Sequence, residues 1–313
     1  MKKLLLLCLS LLVMFGCQSK PEEEKPTSAQ EVFGEDYENG GATGIKNYKV
    51  VDNLVELELL YEKRPIGKDH MMMIMQDNTF VPFSFEKDKE FDLTQKFNMK
   101  TEKLENNKLY VKVNTIKKGE PHNFYVFIVC NPTYMPKESQ NIIYDDLEVM
   151  ADGQRTITFD QDIINKEETK AKAFESQWES VKDVSGGFSQ VSLIGYENKD
   201  QLISILQGST MATPAIQVHK NKGFQWTVAI QKGEFKNPVI YFFIDNQPIK
   251  IQNDYDYLSV PTDKEGFILT DVQLTLPKDI GSGNHTFYAY VFETEGKVKN
   301  EKGVEIRMLD VGE

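Results

Sequence analysis

The sequence predicts an all-β protein: two tandem antiparallel β-sandwich domains joined by a helical connector. Three observations carry that expectation. Short runs of strand-period hydrophobicity recur between turn residues. Two distant stretches repeat the same order of features. Strands do not alternate with long helical patterns, which argues against a doubly wound α/β fold.

The repeat is read most easily from its hairpins. MMMIMQDNTFVPFSF (Met71 to Phe85) and VIYFFIDNQPIKIQ (Val239 to Gln252) each pass from an apolar run through Asp-Asn into a second strand containing Pro. Asp77-Asn78 and Asp245-Asn246 suit the centre of a two-residue turn, because Asp and Asn tolerate the positive φ that a type I′ turn requires. Downstream, Tyr110 to Ile116 matches Asp271 to Leu276, both with a period of two. A Gly-containing turn follows in each copy, then His122-Asn-Phe-Tyr-Val-Phe127 and His285-Thr-Phe-Tyr-Ala-Tyr290. Arg155 to Phe159 and Val304 to Leu309 close the two units. Such short, regularly spaced strands point to sandwiches of immunoglobulin-like type, here without a Cys…Trp…Cys framework.

The expected boundaries are residues 45–160 for the first sandwich and 185–313 for the second. Residues 161–184 are expected to form the helical connector. Ile164, Ala171, Phe174, Trp178 and Val181 fall at helical spacing there, and Asp162 could cap the start.

The N-terminus reads as an export signal. Lys2 and Lys3 precede an apolar run, Leu4 to Phe15, too short to span a bilayer but suited to a signal peptide. Val13-Met14-Phe15-Gly16-Cys17 resembles the lipobox of bacterial lipoproteins, although Met14 and Phe15 depart from that family's usual residues. The resemblance implies removal of residues 1–16, lipidation (palmitate-type acylation) at Cys17, and attachment to the extracytoplasmic face of the cell membrane. Residues 17–44 are rich in Pro, Glu, Ser and Gly, so they are expected to form a disordered acidic tether.

Removing Lys2 and Lys3 with the leader leaves 34 basic against 48 acidic residues, a net charge of −14. That charge repels phosphate backbones and argues against a nucleic-acid partner. With Cys8 in the signal and Cys17 lipidated, Cys130 remains alone and reads as a small buried hydrophobe.

No catalytic, metal or cofactor constellation stands out. The four histidines, His70, His122, His219 and His285, lack ligand-spaced partners. His122 and His285 occupy equivalent positions, which suggests a duplicated structural role such as bonding a turn carbonyl. Asp254-Tyr-Asp256 and Asp36-Tyr-Glu38 lack the spacing of a calcium loop.

The continuous apolar runs Phe124 to Val129, Val239 to Ile244 and Phe287 to Phe292 are less ordinary. A strand with one wet face should alternate. Either another element covers the second face, or Tyr125, Phe127, Tyr288 and Tyr290 form an exposed surface for an envelope protein or glycan. The functional expectation is a non-enzymatic, membrane-anchored binding module. The alternative is an accessory or immunity-type lipoprotein subunit of a membrane transporter; a cell-envelope enzyme comes third.

Overall fold

A computed structural model describes residues 42–62, 69–101, 104, 107–136, 148–185, 192–209, 214–220, 222–231, 233, 235–295 and 304–313. Within them the chain builds two β-sandwiches of immunoglobulin-like type. In sandwich 1, one sheet runs in the order β1 (Ala42–Val51), β2 (Leu54–Glu62), β7 (Lys108–Val111), β5 (Phe83–Ser84). The facing sheet runs β4 (Thr79–Val81), β3 (Asp69–Gln76), β8 (Pro121–Cys130), β9 (Glu148–Thr158), with β6 (Gln95–Asn98) also on β3.

Sandwich 2 repeats this order. Its outer sheet runs β12 (Ser192–Tyr196), β14 (Phe224–Gln231), β19 (Phe267–Thr275), with β17 (Lys250–Ile251) on β19. Its inner sheet carries β16 (Gln247–Pro248) and β18 (Tyr257–Ser259) on β15 (Lys236–Ile244), then β20 (Gly283–Glu295) and β21 (Val304–Gly312). Three strands have no counterpart in sandwich 1: β10 (Ala173–Phe174), β11 (Glu179–Ser180) and β13 (Ile216–His219).

The repeat extends to strand register. Gln76, just before the first hairpin turn, lies opposite Phe124, and Ile244 lies opposite Phe287 in the same relation. Both Asp-Asn turns have positive φ at both residues (53° and 88°; 48° and 66°), as a type I′ turn requires. Asp52-Asn53, joining β1 to β2, turns in the same way with φ of 49° and 63°.

The four sheets stack, and the stacking explains the apolar runs. Along β8, Phe124, Val126 and Ile128 point into the core of sandwich 1, while Tyr125, Phe127 and Val129 point out of it. Along β20, Phe287, Ala289 and Val291 enter the core of sandwich 2, while Tyr288, Tyr290 and Phe292 point away. The two outward sets meet. Met71, Met73 and Met75 of β3 and Val239, Tyr241 and Phe243 of β15 complete a third apolar layer between the sandwiches. An inner strand is therefore buried on both faces and has no water-facing side to keep polar.

The expected helical connector is absent. Residues 160–185 run as an extended strap with no helical residue. Ile163 bridges to Ile116, β10 joins β18, and β11 joins β19 on the opposite sheet. Trp178 enters the core of sandwich 2 and donates its Nε1–H to Ser259 O at 3.0 Å. A spacing of four, as from Phe174 to Trp178, satisfies a strand period of two as well as a helical turn. The free sheet edges of sandwich 2 decide between them, because pairing there satisfies the strap's backbone groups. Asp162 caps no helix; its Oδ1 accepts Lys118 N at 2.8 Å.

The single helix among the described residues, α1 (Lys199–Leu206), is capped by Asn198, whose Oδ1 accepts the Asp200 and Gln201 N–H groups. Leu202 and Leu206 cover Ala229, Phe267 and Leu269 on the outer sheet of sandwich 2.

The Tyr288 hydroxyl has no hydrogen-bond partner among the described residues, and burial pushes its ionisation well above the ordinary range. Removing that oxygen should cost nothing. Tyr288→Phe should be as stable as the wild type or stabilised by about 1 kcal/mol in urea unfolding, whereas Tyr288→Ala should lose about 3 to 5 kcal/mol. An Ala variant of unchanged stability would contradict its burial between the sheets.

Candidate functional site at the junction of the sandwiches

The four aromatic residues expected on an open binding surface are not exposed. Tyr125, Phe127, Tyr288 and Tyr290 are 1, 0, 0 and 2 % accessible. Each sandwich occupies the face that the sequence leaves open on the other, so the covering element is the second copy of the repeat. Phe127 stacks on Phe243 at 5.6 Å and meets Tyr290 edge-on at 5.1 Å. Phe127 and Tyr290 are equivalent positions in the repeat, as expected near a local two-fold relation between the halves.

Polar contacts seal the rim of this interface. Tyr125 OH donates to Glu293 O, and Tyr241 OH donates to Asn78 O in the first hairpin turn. Burial, and secondarily the Asp256 charge, hold the Tyr241 hydroxyl in its protonated, donating form. In return, Asn246 of the second turn donates its Nδ2–H to Pro132 O at 2.7 Å, and Thr286 Oγ1 donates to Tyr134 O at 2.7 Å. Each sandwich thus holds the other's hairpin turn.

The equivalent histidines brace those same turns. His122 Nδ1 lies 2.6 Å from Asp77 Oδ2, and Asn123 N donates to Asp77 Oδ1 at 2.8 Å. His285 Nδ1 lies 2.5 Å from Asp245 Oδ2, and Thr286 N donates to Asp245 Oδ1 at 3.0 Å. The partner is the turn's carboxylate rather than the carbonyl expected from sequence; only His285 also reaches a carbonyl, Gly281 O, at 3.1 Å. His122 Nε2 is buried without a partner among the described residues. Neither ring therefore presents a free nitrogen to solvent, and the arrangement fixes a turn.

Elsewhere, Cys130 is 4 % exposed, beside the Tyr61 hydroxyl at 3.5 Å. Among the described residues no three His, Cys, Asp or Glu side chains gather as a metal site would require, and no helix is long and apolar enough to cross a membrane. Cys17, the expected lipidation site, and Asp36 and Glu38 lie outside the described residues.

Among the described residues, a cleft of about 690 Å³ lies where the sandwiches and the strap meet. That volume is within the usual range for ligand pockets, roughly 300–1,000 Å³, and domain junctions are a preferred place for them. Sandwich 1 supplies the Asp52-Asn53 turn, β4 with Pro82, Phe91, and Lys112 to Asn114; sandwich 2 supplies Pro248 to Lys250 and Asp256. The strap lays Ile164 to Ala171 along the cleft.

Side-chain hydrogen bonds fix the strap in place. Asn165 Nδ2 donates to Val113 O at 2.9 Å, Thr169 N to Asn114 Oδ1 at 3.2 Å, and Ala171 N to Thr79 Oγ1 at 3.0 Å. Ile164, at 62 % accessible, is the single exposed large hydrophobic side chain among the described residues. Sequence reasoning did not find this cleft, because it depends on how two distant copies dock.

No family model and no curated protein sequence matches the chain. Among solved structures it is similar to the fibronectin(III)-like modules of Clostridium thermocellum CbhA, at 10 % identity over 82 % of this chain and 85 % of that one, with a TM-score of 0.20. It is also similar to Salmonella alpha-2-macroglobulin reacted with methylamine, at 7 % identity over 86 % of this chain and 16 % of that one, with a TM-score of 0.24. The C-terminal domain of the Streptococcus agalactiae AgI/II polypeptide BspA aligns at 8 % identity over 86 % and 96 % of the two chains, with a TM-score of 0.19. TM-scores this low carry no argument about activity.

The clamp makes a testable difference between two exposed-looking aspartates. Asp245→Ala should lose about 1 to 3 kcal/mol, having removed the acceptor for both His285 and a backbone N–H. Asp254→Ala, which breaks only a surface pair with Lys172, should change stability by less than about 0.5 kcal/mol. Thermal or urea unfolding of the two variants distinguishes them, and equal losses would contradict the clamp.

Proposed function

We propose that this protein is a non-enzymatic binding module, tethered by lipid on Cys17 to the extracytoplasmic face of the membrane, which holds its ligand in the cleft between its sandwiches. The observation that carries the reading is the cleft itself. Its walls come from both copies of the repeat, and the two copies are fixed together by an apolar layer and reciprocal turn contacts. A rigid junction suits recognition, since a preformed site loses little ordering entropy on binding.

The lipid supports the same reading from the sequence side. Two or three acyl chains anchor stably where one does not, and lipobox processing supplies more than one. An acidic tether would then hold the sandwiches clear of the headgroups.

Mass spectrometry of the membrane-extracted protein tests the anchor. The mature chain should begin at Cys17 and carry a diacylglyceryl thioether, and Cys17→Ser should leave an unlipidated chain with its leader intact. An intact Met1 in the wild-type protein, or an unmodified Cys17, would overturn the anchored placement.

A further inference from the structure

We propose that the cleft takes a neutral oligosaccharide, with one sugar ring against Phe91 and its hydroxyl groups bonded by Lys112, Asn53 and Glu167. The proposal rests on the reading of the protein as a binding module and names the ligand class of the same cleft.

Charge is the first argument. Of the five charged residues lining the cleft, Lys250 is ion-paired with Asp256, and Asp52 with Lys87 beside it. Lys112 and Glu167 are left, one positive and one negative, and neither has an ion pair among the described residues. A strongly charged ligand of either sign would meet repulsion from one of them. An uncharged ligand with many hydroxyl groups can accept from the ammonium and donate to the carboxylate.

The apolar part of the wall is the second argument. Phe91 is half-buried, belongs to no core cluster, and carries Lys112 Nζ 4.7 Å from its ring centre. Pro82, Pro248 and the exposed Ile164 add apolar surface around it. A sugar ring is amphipathic in the matching sense: its faces are C–H and its edge is hydroxyl. An aromatic ring with an ammonium over one face, in a cleft that also holds a carboxylate and an amide, fits that division better than it fits a wholly apolar chain.

Titration of the full-length, detergent-solubilised protein with cellohexaose, chitohexaose and mannohexaose, followed by calorimetry, tests the assignment. At least one neutral hexasaccharide should bind, and affinity should be insensitive to salt up to about 0.5 M because no ion pair is made with it. Phe91→Ala should weaken binding about tenfold, the scale of one aromatic contact, with an unchanged melting temperature. Glu167→Ala should weaken binding severalfold, and Glu167→Gln, which keeps a hydrogen-bonding amide, should lose less than Glu167→Ala does.

A contrary result has two forms. If no hexasaccharide binds but peptides selected from a random 12-residue display library do, and Phe91→Ala abolishes that binding, the sugar assignment falls and the binding cleft stands. If neither class binds in a Phe91-dependent way, both fall.

Discussion

Contact between two aromatic sheet faces, β3 and β8 on one side and β15 and β20 on the other, is the constraint from which the remaining structure follows. It turns four sheets into one stack and makes the inner strands apolar on both sides. It also brings the Pro248 to Lys250 segment of sandwich 2 to the same cleft as the Asp52-Asn53 turn of sandwich 1. Aromatic side chains supply large buried area with restricted geometry, so a layer of them fixes orientation as well as adhesion. Met71, Met73 and Met75 of β3 lie among these rings, and methionine is flexible enough to adapt to the gaps that rings leave. Were this layer to open, the cleft would lose one wall.

The two halves contribute unequally to a nearly symmetric contact. Sandwich 1 offers Met71, Met73 and Met75 where sandwich 2 offers Val239, Tyr241 and Phe243. The turns at Asp77 and Asp245 stay equivalent, each braced by a histidine and each held by the opposite sandwich. The strap then adds what only sandwich 2 has, two short edge strands and the Trp178 plug.

Much of this was legible in the sequence, for local reasons. The Asp-Asn turns were visible because few residues accept positive φ, and the strands because their period is two. Equivalence of His122 and His285 followed from the repeat. Four features were not legible. Phe174 and Trp178, four apart, share a face in a helix and in a strand, and only the open edges of sandwich 2 choose between them. The helix α1 is short and its capping Asn198 resembles any loop asparagine. The fate of Tyr125, Phe127, Tyr288 and Tyr290 turned on docking, which an apolar run predicts only as a need for some cover. The cleft follows from the same docking and was invisible for the same reason.

A double-mutant cycle between Phe127 and Phe243, one from each sandwich and stacked at 5.6 Å, measures this contact directly. Replacing each by Leu singly and together, and following unfolding in urea, isolates their pairwise term. The account expects a coupling of about 0.5 to 1.5 kcal/mol between them. Strictly additive losses would mean that the two faces do not touch, and the docked arrangement on which the cleft depends would be wrong.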